Sequence, residues 1–140
     1  GRKAKLPVQL GRQPTEKLNN DLKAYYMLLL AETRAPVYQE GEWWLFHPAP
    51  GKHDGSHNNL IAYGWRSPHD HVLIVINMSE HPSSGHVSLA YWPEMAGSNW
   101  NLRDVLDGAP YMRDGQRLHQ PGLYIDLKGY KSHIFHFNGV

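Results

Sequence analysis

The sequence contains no cysteine in its 140 residues. That excludes a disulfide framework, a thiol nucleophile and any thiolate-ligated metal. It fits a reducing or an oxidising compartment equally well, so the compartment stays open, with a cytoplasmic parent favoured over an exported one. The sequence also lacks an excess of either charge: 14 Lys and Arg face 13 Asp and Glu, for a net +1. This balance gives no footprint for nucleic acid or for an anionic membrane surface as partner. Long apolar runs are missing as well. The densest run, residues 25–31, is short, internal and preceded by charge. It resembles no signal peptide and falls well short of the ~20 residues of a membrane span. The length accommodates one ordinary domain but not a complete (β/α)₈ barrel, which needs about 250 residues. What is present is globular material, 41% hydrophobic and 19% charged, with five Trp, many for this size. Gly1, where an initiator Met would stand, leads us to expect a piece of something longer.

Charge is unevenly distributed. Residues 1–34 carry seven basic groups (Arg2, Lys3, Lys5, Arg12, Lys17, Lys23, Arg34) against three acidic ones (Glu16, Asp21, Glu32), whereas the remainder carries seven against ten. The secondary-structure signals divide at the same place. Leu18, Leu22, Tyr25, Tyr26 and Leu29 share one face of a helix predicted over 15–33, with Pro14 and Thr15 at its start and Pro36 as its stop. Met27, Leu28, Leu30 and Ala31 make its last two turns apolar all round. A helix of that kind expects packing on several sides. Either it lies on the sheet with a few leucines exposed, or one side belongs to a neighbouring domain.

From Val37 onward the pattern is strand-like. Trp43-Trp44-Leu45-Phe46 is a short apolar run, and Ile61, Tyr63 and Trp65 alternate with Ala62, Gly64 and Arg66. Residues 71–78 form an almost continuous β-branched run expected at the centre of a sheet. Val87, Leu89 and Tyr91 alternate, as do Leu123, Ile125 and Leu127, and finally His133, Phe135 and Phe137. Turn clusters lie between them at 48–51, 82–85, 96–98, 107–108 and 114–115. Such spacing predicts a mainly β fold, an antiparallel β-sandwich of Greek-key type with one N-terminal α-helix.

Motifs for chemistry are scarce. Ten His invite a metal, and His69-x-His71 or His133-x-x-His136 would be the starting pairs. Neither has a third ligand at recognisable spacing, and His133 and His136 fall on opposite faces of a strand. His53, His57, His69 and His81 sit in loop-like sequence, where a solvated side chain is the simpler role. Asp104, Asp107, Asp114 and Asp126 could supply the facing carboxylates of glycoside chemistry. Simpler roles compete: Asp107-Gly108 and Asp114-Gly115 read as turns, and Asp126 as the outward neighbour of Ile125 and Leu127. There is no nucleophile elbow and no glycine-rich phosphate loop. No catalytic residue, metal site or cofactor is expected.

The order of segments nevertheless resembles the end of an α-amylase-family glycoside hydrolase. The resemblance rests on 5–14 (KLPVQLGRQP), the helix ending Tyr25-Tyr26-Met27-Leu28-Leu29, and Gly41-Glu42-Trp43-Trp44-Leu45. It continues with 60–65 (LIAYGW), 72–79 (VLIVINMS), 122–127 (GLYIDL) and the closing His133-Ile134-Phe135. Ile-Ala-Tyr-Gly-Trp followed by Val-Leu-Ile-Val-Ile-Asn-Met-Ser is its most specific element. The resemblance implies that residues 1–36 are the tail of a catalytic barrel and 37–140 its C-terminal β-sandwich. The family's catalytic acids lie on barrel strands, so none is carried over. His69-Asp70 and His53-Asp54 echo a catalytic His-Asp pair only superficially, since neither follows a barrel-type strand.

The leading expectation is a non-catalytic domain that stabilises a barrel acting on α-glucans, with the barrel of the same parent chain as partner. Its apolar helix face is a candidate surface for dimerisation. The alternative is a carbohydrate-binding module for an α-glucan, using exposed rings. Its candidates are Trp92, Trp100, Tyr111 and Tyr124, with burial in the sandwich core the competing role for each Trp. Trp43, Trp44 and Trp65 are expected to be packing residues, although Trp43 and Trp44 cannot both point inward from one strand. A free-standing lectin-like sandwich is a third possibility; a cupin would need a His/Glu metal set that the spacing does not offer.

Overall fold

The computed structural model describes residues 16–51 and 55–140. The segment 5–14, Pro14 and Thr15 as helix start, the side chains of Leu18 and Tyr26, and His53–Asp54 lie outside the described residues. The chain divides into two compact units after Ala35.

The first unit contains helix α1 (Glu16–Thr33). Its end is a loosening of register: Arg34 N–H donates to Ala31 O (3.2 Å) and Ala35 N–H to Glu32 O (2.9 Å). Pro36 then has no N–H to continue the ladder. Leu22, Tyr25, Met27 and Leu30 are exposed along the helix.

The second unit opens with a helical turn, where extended chain was expected from Val37. Pro36 takes a helical backbone and caps α2 (Val37–Glu40). Its carbonyl accepts from Gln39 N–H and Glu40 N–H (3.0 and 2.8 Å). Among the described residues nine strands follow: β1 (Glu42–Phe46), β2 (Ala49–Pro50), β3 (Leu60–Ser67), β4 (Asp70–Asn77), β5 (Ser83–Val87), β6 (Asn99–Asp104), β7 (Pro110–Asp114), β8 (Leu123–Leu127) and β9 (Ser132–Gly139). They form a six-stranded sheet, β1-β3-β4-β9-β6-β7, and a three-stranded sheet, β2-β5-β8, with every pairing antiparallel. The fold is mainly β, an antiparallel β-sandwich, as the strand spacing predicts.

Period-2 alternation builds the core. Leu123, Ile125 and Leu127 of β8 point inward, and Tyr124 and Asp126 outward. Leu73 and Val75 of β4, Leu102 of β6 and Phe135 and Phe137 of β9 meet them from the large sheet. In β3 the inward positions are Leu60 and two small residues, Ala62 and Gly64, while Ile61 is exposed and Tyr63 and Trp65 are half-buried. The space left by these small residues is filled by Trp92, which is fully buried. Its ring meets Phe46, His71 and Phe137 edge-on at 5.0, 5.1 and 6.2 Å. A Cβ on Gly64 would run into the Val72 carbonyl and come within 2.8 Å of Trp92 Cη2.

Asn77 joins the two sheets. It is fully buried at the end of β4. Its Nδ2 lies within donating distance of the carbonyls of His81 (2.8 Å), Leu127 (3.0 Å) and Lys128 (3.1 Å), and its Oδ1 accepts from Ser79 N–H (2.9 Å).

Several local expectations need correction. The strand expected over 87–91 lies earlier, at Ser83–Val87, inside the supposed turn cluster 82–85. Ser88 releases the chain from the sheet, its Oγ accepting from Ala90 N–H (3.3 Å) and donating to His119 O (2.8 Å). Strands β6 and β7 and the short helix α3 (Gly115–His119) occupy sequence that carries turn signals at its boundaries. Asp114 caps α3, its side chain accepting from Gln116 N–H at 2.9 Å.

Candidate functional site

The four rings proposed for sugar contact have four different environments. Trp92 presents no face to solvent, because the well over Ala62 and Gly64 encloses it. Trp100 packs on the core, its ring edge-on to His71 (5.6 Å), and its Nε1–H donates to Met95 O (2.9 Å). Tyr111, expected outward, also packs on the core, edge-on to Phe135 at 5.9 Å with the Arg113 guanidinium 5.5 Å from its ring centroid. Tyr124 alone of the four is exposed, at 41%.

The exposed tryptophans are two that were expected to serve as packing residues, with at least one of them turned away from the core: Trp43 at 50% and Trp44 at 40%. The signal was the Trp-Trp dipeptide itself, since neighbours in a strand face opposite ways. Trp44 stacks flat on Tyr91 at the inner rim of β1, with centroids 3.6 Å apart and planes 5° apart. Trp43 stands on the outer face of the large sheet. The register sets Trp43 beside Trp65, Leu45 beside Tyr63, Tyr63 beside Ile74 and Ile61 beside Ile76 on that face. Tyr38 of α2 meets Trp65 edge-on at 4.8 Å. The outer face over β1, β3 and β4 is thus aromatic and aliphatic, where a sheet face in contact with water is ordinarily polar.

The titratable groups form short structural pairs. Asp104 is buried, accepting from Leu106 N–H (3.0 Å) and Ile134 N–H (3.2 Å) and lying 2.7 Å from His133 Nδ1. Burial pushes its carboxyl upward, but the His133 bond, these two amides and the His133 charge together hold it below the usual value. Glu94 sits between His71 Nε2 (2.6 Å) and Arg66 Nη1 (3.3 Å), and Arg66 also reaches Glu42 (2.6 Å). Burial raises Glu94, and is outweighed by the His71 bond, its backbone hydrogen bond and the two neighbouring cations, so it too lies below the ordinary range. His136 faces Asp70 at 3.1 Å. Asp107 accepts from Ala109 N–H (2.8 Å), and Asp126 is exposed on β8. Asp104 therefore bonds across β6 and β9, Asp107 holds a turn and Asp114 caps a helix. Among the described residues no three His, Cys, Asp or Glu gather as a metal site would require.

A cavity of about 340 Å³ adjoins Tyr124. It lies among β7, α3 and β8, with Arg113, Arg117, His86, Met112 and Pro121 in its wall. The His86 and Tyr124 rings are 5.3 Å apart. Gly122, also in the wall, has φ +115°, and a Cβ there would meet the Val87 backbone at 2.5 Å. The turn that presents Tyr124 therefore needs glycine.

No family model and no curated protein matches the sequence. Solved structures do match in fold. An α-amylase of Anoxybacillus aligns with a TM-score of 0.56 at 17% identity, over 86% of this chain and 23% of its own. A noncanonic maltogenic α-amylase of Thermotoga neapolitana gives 0.53 at 14%, over 76% and 22%. The α-amylase of Geobacillus thermoleovorans gives 0.52 at 14%, over 77% and 20%. The chain spans about a fifth of the length of the enzymes it matches, and the likeness is one of fold.

Proposed function

We propose that the sandwich is a non-catalytic C-terminal domain of an α-amylase-type glycoside hydrolase or transglycosylase acting on α-glucans, and that it stabilises the catalytic barrel of its parent chain. The observation that carries this reading is a fold likeness covering most of this chain but only about a fifth of several α-amylases. The apolar outer face over Trp43, Leu45 and Tyr63 supports it, as a surface suited to burial against a larger domain. On this reading residues 1–36 are the end of the barrel and 37–140 the appended sandwich.

The test compares two proteins, this chain and a parent chain extended upstream. This chain should leave starch and maltooligosaccharides intact. Replacing Trp43 and Leu45 by Ser should lower the thermal midpoint of the extended parent by several degrees more than that of the isolated chain. Turnover by the chain alone, or equal effects in both proteins, would refute the reading.

The second reading, carbohydrate binding, is favoured by one observation: the exposed Tyr124 ring at the edge of a mainly apolar cavity whose wall also carries Arg113, Asp114 and Arg117.

A further inference from the structure

The cavity beside Tyr124 has a chemistry that neither starch binding nor domain docking requires. Its apolar lining comes from Met112, Pro121 and Tyr124, and two arginines, Arg113 and Arg117, share its wall. Among the described residues no carboxylate forms an ion pair with either arginine. Arg113 donates to Met112 O (2.8 Å) and lies over Tyr111. Asp114, the carboxylate in the same wall, spends one oxygen on the Gln116 amide. Neutral sugars are read by mixed donors and acceptors, whereas a guanidinium only donates, and its fork matches a carboxylate or phosphate. About 340 Å³ is at the small end of ligand pockets, which run from about 300 to 1,000 Å³, and suits one sugar ring rather than a glucan chain.

We propose that this cavity binds a single sugar unit bearing an anionic group, a uronate carboxylate or a sugar phosphate. Tyr124 contacts the ring and Arg113 and Arg117 receive the anion. The inference stands whether or not the parent is an amylase-type enzyme.

Amide-resolved NMR titration of the chain with glucuronate, glucose 6-phosphate, glucose, maltotriose and inorganic phosphate tests it. At least one of the two anionic sugars should shift the amides around 113–117 and 122–124 and saturate in the millimolar range. Whichever binds more tightly names the anion. Glucose, maltotriose and inorganic phosphate should each bind at least tenfold more weakly. Added salt should weaken binding. Arg117→Ala should reduce affinity about tenfold or more (a change of about 1.4 kcal/mol) with Arg117→Lys between it and the unmodified chain. Tyr124→Ala, at an exposed position, should weaken binding without lowering the unfolding midpoint. Four results would overturn the proposal: neutral sugars binding as well as the anionic ones; inorganic phosphate binding as well as either; no shift at about 10 mM of both anionic sugars, well above a millimolar dissociation constant; or an unchanged affinity in Arg117→Ala.

Discussion

Replacing Asn77 separates hydrogen bonding from shape at the junction of the two sheets. Its amide group faces three carbonyls, those of His81, Leu127 and Lys128, its Oδ1 takes the Ser79 amide, and the Asn77 side chain itself is fully buried. Asn77→Ala removes two donor hydrogens and one acceptor. At about 0.7–1 kcal/mol net per bond, with a further 1–2 kcal/mol for polar groups left buried and unpaired, the loss is about 3–5 kcal/mol. For a domain of this size that corresponds to a fall in melting midpoint of about 12–20 °C. Asn77→Asp keeps the shape and the acceptor, but sets a carboxylate against three carbonyl oxygens. It should therefore be worse than alanine at neutral pH, although nearly isosteric. Burial and the carbonyl dipoles raise the folded-state pKa of the new group, so its penalty grows above the unfolded value of about 4 and shrinks as pH falls. Urea unfolding followed by Trp fluorescence between about pH 7 and pH 4 reads this directly. The stability gap between Asn77→Asp and the unmodified chain should narrow on acidification. An Asn77→Ala loss below about 1 kcal/mol, or an Asn77→Asp as stable as Asn77→Ala at neutral pH, would refute the reasoning.

Other expectations follow from the same packing. Gly64→Ala should destabilise by about 1–3 kcal/mol through overpacking against Val72 O and Trp92, and Trp92→Ala by about 3–5 kcal/mol through the cavity it leaves. Because the two share one space, their double variant should depart from additivity in chemical denaturation. Asp104 and Glu94 are both held below the ordinary carboxylate range. Their stabilisation is therefore complete above that range and is lost as pH falls through the lowered values, below about pH 4. Asp104→Asn should flatten the acid limb of the stability profile, and an unchanged limb would show that Asp104 is no part of it.

Alternation along the strands was legible in the sequence, but not always its sign. In β8 the large apolar residues face the core, as read directly. In β3 the order is reversed, because an indole from a distant connection claims the space over Ala62 and Gly64. Period 2 fixes which residues share a face, while the choice of inner face depends on partners remote in the chain. Strands β6 and β7 escaped notice for a related reason. β6 buries only Leu102 and Asp104 completely, and β7, at the sheet edge, buries none of its residues. The candidate site was half legible. Outward Tyr124 follows from the alternation of 123–127, whereas its arginines reach the cavity from β7 and α3, a strand and a helix hidden behind turn signals.

The place of β9 has a consequence for biosynthesis. This strand, Ser132–Gly139, lies between β4 and β6 and is hydrogen-bonded to both. Until it leaves the ribosome, the large sheet exists only as two separate pieces, β1-β3-β4 and β6-β7. The inner faces of both pieces, with Leu73, Val75 and Leu102, lack Phe135 and Phe137 in the meantime. The large sheet cannot close until Ser132–Gly139 has been made, and a nascent chain stalled before Ser132 is a natural client for chaperones.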